Sequence, residues 1–185
     1  AFPIEPYINK KIAEQIGVSF MGDCVTGTGT GEPTGFTVTT NANSVLSGSS
    51  AALAIATVPK LALKVKPQYR RNGKWACNGT TLGVLWGLDV AAYGHIMSFN
   101  PGSNVFTICG QDCIEMSELA DIGASAYPLW YGDFNAACKI VKRQDINVLR
   151  NPYLAPGFTY FYTTTRLGFL TVLPEALAKM KSNNS

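Results

Sequence analysis

A single histidine, His95, and five cysteines without a C-x-x-C pair leave this sequence poorly equipped to hold a metal. A structural zinc site draws four ligands from those residue types at short, paired spacings. Cys24, Cys77, Cys109, Cys113 and Cys138 form an odd, sparse set that reads as reduced, buried thiols of a cytoplasmic product rather than as a disulfide framework. No window reaches the roughly 18 consecutive apolar residues of a membrane-spanning helix. The opening AFPIEPYINKK also lacks the basic-then-apolar plan of a signal peptide, so a soluble chain with no membrane partner is expected. Nucleophilic catalysis has little to work with. There is no G-x-S-x-G elbow, and His95 in YGHIM reads as a packed side chain at the end of an apolar helix rather than as a general base. Charge is scarce as well: 15% charged residues and a net charge of +3 permit contact with nucleic acid without arguing for it.

What is present is a globular composition, 46% hydrophobic over 185 residues, enough for one sizeable domain or two small lobes. Ile8, Ile12 and Ile16, with Pro6 ahead and Gly17 behind, predict an amphipathic helix over 6–16. The run TVTTNANSVLSGSS reads as a mobile connection or lobe boundary. Thr57 is placed to cap a second helix whose apolar stripe is Val58, Leu61, Ala62 and Val65, ended by Pro67. WAC at 75–77 reads as a strand, and Asn78 or Thr80 as the cap of a third helix through Leu82, Leu85 and Trp86. VFTIC and YPLWY read as short extended pieces around an acidic loop. From Lys139 the period becomes two: KIVKR and INVLR flank Gln144-Asp145 as a hairpin, and FTYFYTTTR is a further strand. A last helix is expected from Pro174 through Met180. Helices partly segregated from mainly antiparallel strands give an α+β class.

The stretch GTGTGEPTGF, residues 27–36, invites a phosphate-loop reading. Such a loop needs converging backbone N–H groups at a helix N-terminus and a nearby lysine. Here Glu32 would repel an anion, Pro33 supplies no N–H and no G-K-[ST] follows, so Gly27, Gly29, Gly31, Pro33 and Gly35 read as a structural turn. Gly132 and Asp133 are likewise assigned to a turn, and Tyr131 and Phe134 to packing. Glu115, Glu118 and Asp121 could bind a cation but read more simply as an acidic surface loop. Six basic residues fall between Lys60 and Lys74, a solvated face or a charged subunit contact. No cofactor is called for, and neither a catalytic nor a metal-binding residue is assigned.

The order of motifs in the second half carries a resemblance. ICGQDCIEMSELADIGASAYPLWYGDFNAACKIVKRQDINVLRNPY, then FTYFYTTTRLGF, then PEALAKMK resembles the C-terminal half of tailed-bacteriophage major capsid proteins with the Hong Kong 97 fold. YRRNGKWACNGTTL and GTGTGEPTGF are similar to two further segments of that family, the latter to the turn that leaves its long spine helix. The resemblance covers residues 5–36 and 69–181. Asn151, Asp145 and Phe169 depart from the family's usual Asp, Gly and Gly.

The resemblance implies a structural, non-enzymatic subunit of a phage or prophage head. Such a subunit self-assembles into pentamers and hexamers around double-stranded DNA, with scaffold, maturation protease and portal as possible partners. The implied location is the virion, after the bacterial host cytoplasm. It divides the chain into residues 1–43 (end of the spine helix and glycine turn, peripheral), 44–137 (axial lobe) and 138–185 (peripheral hairpin, long strand and C-terminal helix). The family's N-terminal arm and extended loop have no counterpart in the sequence, so this chain is expected to be a fragment that folds without forming shells alone. Charged groups set register between neighbours. Arg70, Arg71, Arg150 and Arg166 are the interface candidates, with Glu115 and Glu118 as acidic counterparts. An encapsulin-like compartment shell and a small nucleotide-binding enzyme are the competing readings.

Overall fold

The computed structural model describes residues 4–39, 42–48, 53–88, 96–151, 153–154 and 158–182; His95 lies outside them. A long helix α1 (Ile4–Thr26) is followed by the glycine loop and β1 (Asn43–Leu46). Then come α2 (Thr57–Lys64), α3 (Pro67–Arg70), β2 (Lys74–Cys77) and α4 (Gly79–Gly87). β3 (Met97–Asn100), β4 (Val105–Ile108), β5 (Gln111–Glu115), β6 (Leu129–Gly132) and α5 (Phe134–Ala137) follow. The chain ends in β7 (Cys138–Asn151), β8 (Tyr160–Thr171), a 3₁₀ turn (Pro174–Ala176) and β9 (Leu177–Lys181).

Seven strands form one mixed sheet in the order β1-β9-β6-β2-β5-β4-β3, and β7 pairs with β8 in a separate antiparallel ribbon. Alternation along each strand sends side chains to two faces. Trp75 and Cys77 of β2 join Leu61, Leu85, Leu129, Tyr131 and Met180 beneath α2 and α4. Ala76, between them, joins Trp130, Leu177, Val25 and Phe36 on the opposite face. The sheet therefore has a core on each side, and the α+β class holds.

Several sequence expectations need correction. Gly17 does not end α1: the helix continues because Phe20, Cys24 and Val25 keep the Ile8-Ile12-Ile16 face progressively buried, outweighing the roughly 1 kcal/mol cost of a mid-helix glycine. Thr57 is the first residue of α2 rather than its cap, and its hydroxyl donates to the Ala54 carbonyl at 2.6 Å. Asn78 does cap α4, its side chain accepting from the Thr80 N–H at 2.7 Å.

Gln144-Asp145 is not a turn. Both residues lie within the continuous strand β7, where the register with β8 slips between Lys142 and Asn147; a β-bulge bends a strand there without reversing it. The helix expected from Pro174 is also absent. Only Pro174–Ala176 turns helically, and Leu177–Lys181 is a strand wedged between β1 and β6. Leu177, Ala178, Lys179 and Met180 are all buried, and a strand covered on both faces cannot be told from a buried helical segment by periodicity alone. Part of the supposed connection at 37–50 is β1, paired in parallel with β9 from Asn43↔Ala178 to Leu46↔Lys181.

Candidate functional site

The glycine loop closes on its own backbone. Gly27 N–H donates to Asp23 O at 2.9 Å, Gly35 N–H to Gly27 O at 2.8 Å, and Phe36 N–H to Cys24 O at 3.0 Å. A Cβ at Gly27 would stand 2.1 Å from Pro33 O, and one at Gly35 2.4 Å from Val25 O, so both positions require the bare backbone. Gly29 and Gly31 take positive φ, at 85° and 77°. The Glu32 carboxylate accepts from the Thr28 N–H and hydroxyl, both at 2.8 Å, which holds its pKa below the usual carboxylate range. The N–H groups of Gly27, Thr28, Gly35 and Phe36 are thus satisfied within the loop and the end of α1, one of them by the Glu32 carboxylate.

The loop fastens α1 to the sheet. Phe36 stands edge-on to Trp130 and to Phe134, at 5.1 and 5.6 Å between centroids. Nearby, the buried Lys179 ammonium lies 4.4 Å over the Tyr127 ring and donates to Thr39 O at 3.2 Å. Burial lowers its pKa. Gly132 lies where a Cβ would meet Ala176 O at 2.2 Å, and buried Asp133 accepts from Ala136 N–H at 3.0 Å, starting the short helix α5.

The charged candidates are scattered. Arg70 folds inward: its guanidinium donates to Val65 O at 2.9 Å and Leu63 O at 3.3 Å, closing the C-terminal end of α2, while its own carbonyl accepts from the Tyr131 hydroxyl. Arg71 is exposed beside Lys74 and Asp112, which pair at 3.6 Å. Arg150 reaches Glu5 of α1 at 3.0 Å. Arg166 is exposed on β8 opposite Gln144. Glu115 ends β5 with its carboxylate against Gly79, and Glu118 accepts from the Ser117 hydroxyl at 2.9 Å. The described residues contain no group of three or more potential metal ligands, and no helix among them is long and apolar enough to cross a membrane.

The more prominent surface is apolar, and residue-by-residue reading of charges misses it. On the β7–β8 ribbon, Ile140, Val141, Leu149, Tyr162 and Leu170 are all exposed, Ile140 at 64% and Tyr162 at 65%. A two-stranded ribbon is marginal by itself in water. Ile4, Tyr7, Val18 and Met21 likewise project from α1. Exposed apolar side chains gathered on a surface mark a contact site, and the ribbon and α1 each carry several. The alternation of FTYFYTTTR signals the strand, but not that much of its apolar surface stays outside a core.

The sequence model of the phage capsid family matches residues 1–182. Among solved structures, the capsid of an empty GTA particle computed with C5 symmetry superposes with a TM-score of 0.86 at 24% identity, over 99% of this chain and 67% of that one. A Gordonia phage Cozz chain gives 0.65 at 14% identity, over 98% of this chain and 64% of that one. The holo-SrpI encapsulin complex of Synechococcus elongatus PCC 7942 gives 0.61 at 10% identity, over 94% and 65%. The chain thus spans about two thirds of the length of the chains it resembles. These likenesses show a fold of the Hong Kong 97 type. A comparison with curated proteins returned no match.

Proposed function

Because this chain belongs to the phage capsid family, we propose that it is a head subunit that associates with its own copies into pentamers and hexamers enclosing double-stranded DNA. The observation that carries this reading is the family match along nearly the whole chain, residues 1–182. The apolar ribbon and α1 supply it with surfaces suited to repeated, symmetric burial. An axial lobe over residues 44–137, joined by β9, would face the capsomer centre. α1, the glycine loop and the β7–β8 ribbon would form the peripheral lobe. Scaffold, maturation protease and portal would act on the assembled form, and contact with DNA would be non-specific. The subunit would accumulate in the host cytoplasm before entering the phage head, and would do no chemistry. Arg71, Arg150, Arg166, Glu115 and Glu118 remain candidates for inter-subunit contacts; Arg70 serves the interior of its own lobe.

The test is negative-stain electron microscopy with mass photometry of the full-length protein expressed alone and with its neighbouring genes. Closed shells of uniform diameter are the expected result. Monomers under every condition would overturn the reading. The likeness to encapsulin supports a shared fold; a cargo enzyme inside purified shells, in place of DNA, would move the function to a compartment.

A further inference from the structure

The two ends of the seven-stranded sheet are complementary and cannot meet within one chain. Six interstrand gaps of about 4.8 Å separate β1 from β3 by roughly 29 Å. α2 packs at the β1 end and α4 at the β5–β4 end, both over the same face. At the β1 end, Leu63 projects from α2 with 65% of its surface exposed. Lys60 and Lys64, one turn apart, lie to one side of it, both exposed and neither ion-paired among the described residues. At the other end, Leu82 and Trp86 of α4 and Phe99 and Phe106 of the β3–β4 hairpin line an open apolar cleft of about 450 Å³. The Glu115 carboxylate lies against Gly79 on its rim, and Asp121 accepts from the Thr80 hydroxyl at the start of α4.

A leucine beside two cations at one end thus corresponds to an aromatic cleft beside two carboxylates at the other. Resting on the shell reading above, we propose that the occupant of the cleft is Leu63 of a second copy of this chain, with Lys60 and Lys64 facing Glu115 and Asp121. The contact is heterologous, one surface meeting a different one, and such contacts propagate into closed rings when the rotation between copies closes. Charge fixes which end meets which, and burial of Leu63 against Trp86, Phe99 and Phe106 supplies the affinity.

The test places photoreactive benzoylphenylalanine at Phe99 of the full-length protein. Adducts are mapped by mass spectrometry after irradiation, with particle formation scored separately by microscopy. Adducts between chains within residues 57–66 are expected. Adducts to other segments, adducts confined to the same chain, or none would overturn the contact. Particles with adducts elsewhere would sink the contact and leave the shell reading standing; adducts at 57–66 without particles would do the reverse. A second arm leaves the apolar lining of the cleft unchanged: K60E/K64E alone, or E115K/D121K alone, should weaken association at least ~10-fold in sedimentation, and the four changes together in one chain should restore it. Equal loss in the combined variant would reject the pairing.

Discussion

Phe36 meets Trp130 edge to face, centroids 5.1 Å apart and planes at 89°, so the residue that leaves the glycine loop is anchored on β6, an interior strand of the seven-stranded sheet. Phe36 is only 4% exposed and also touches Phe134. Phe36→Ala should cost about 3–5 kcal/mol, the range for deleting a buried aromatic. Urea unfolding followed by tryptophan fluorescence measures it. A loss below about 1 kcal/mol would mean that α1 is held to the sheet elsewhere.

The glycine loop should show a steep ranking. Gly27→Ala and Gly35→Ala drive a Cβ into backbone oxygens at 2.1 and 2.4 Å, and should each cost more than about 3 kcal/mol. Gly31→Ala meets open space and bears only the strain of φ 77°, about 1 kcal/mol. Thermal denaturation of the three variants checks the order. A nucleotide titration of the same protein should leave its melting temperature unchanged, whereas a phosphate-binding loop would raise it.

The arginine pair at the end of α3 should split. Arg70→Ala removes two donors from the carbonyls of Leu63 and Val65 and should destabilise the fold by about 1–3 kcal/mol. Arg71→Ala, an exposed change, should stay within about 0.5 kcal/mol. Chemical denaturation distinguishes the two. Similar losses would show that Arg71 has a structural role in the folded subunit.

Alkaline pH should weaken the fold through its thiols. Burial raises Cys24 and Cys138 to about 11 from 9.0. A folded-state pKa above the unfolded one gives stability that is complete below pH 9 and lost as pH rises toward 11, at no more than about 1.4 kcal/mol per pH unit for each thiol. Lys179 works in the opposite direction: its pKa is lowered, so the cost of burying its charge falls as pH rises. Denaturation curves across pH 8 to 11 for the parent and a C24A/C138A variant separate these effects. The variant should show the shallower decline, and parallel curves would remove the thiols from the explanation.

Local chemistry made some of this architecture legible and hid other parts. The Asn78 cap, the apolar stripe of α2 and the restrictive glycines at 27 and 35 act over a few residues, so the sequence displays them directly. β1 and β9 were concealed for opposite reasons. β1 is a short edge strand of polar composition, while β9 is buried on both faces and so lacks alternation. Both exist because each pairs with the other across the chain. Gln144-Asp145 had turn chemistry but lies in a strand long enough to absorb it as a bulge. Among the charged candidates, exposure was readable and partnership was not. Arg70 turned inward because carbonyls at the end of α2 lay within reach, a fact of three-dimensional proximity.

The position of β9 also sets a clock. It sits between β1 and β6, yet it is made about 130 residues after β1, so β1 stays without its strand partner until translation has passed Lys181, whereas β6 can already pair with β2. Pairing across such a separation is slow to nucleate. Until then the β1 end stays detached from the rest of the sheet, and the seven-stranded order is completed only when β9 is made.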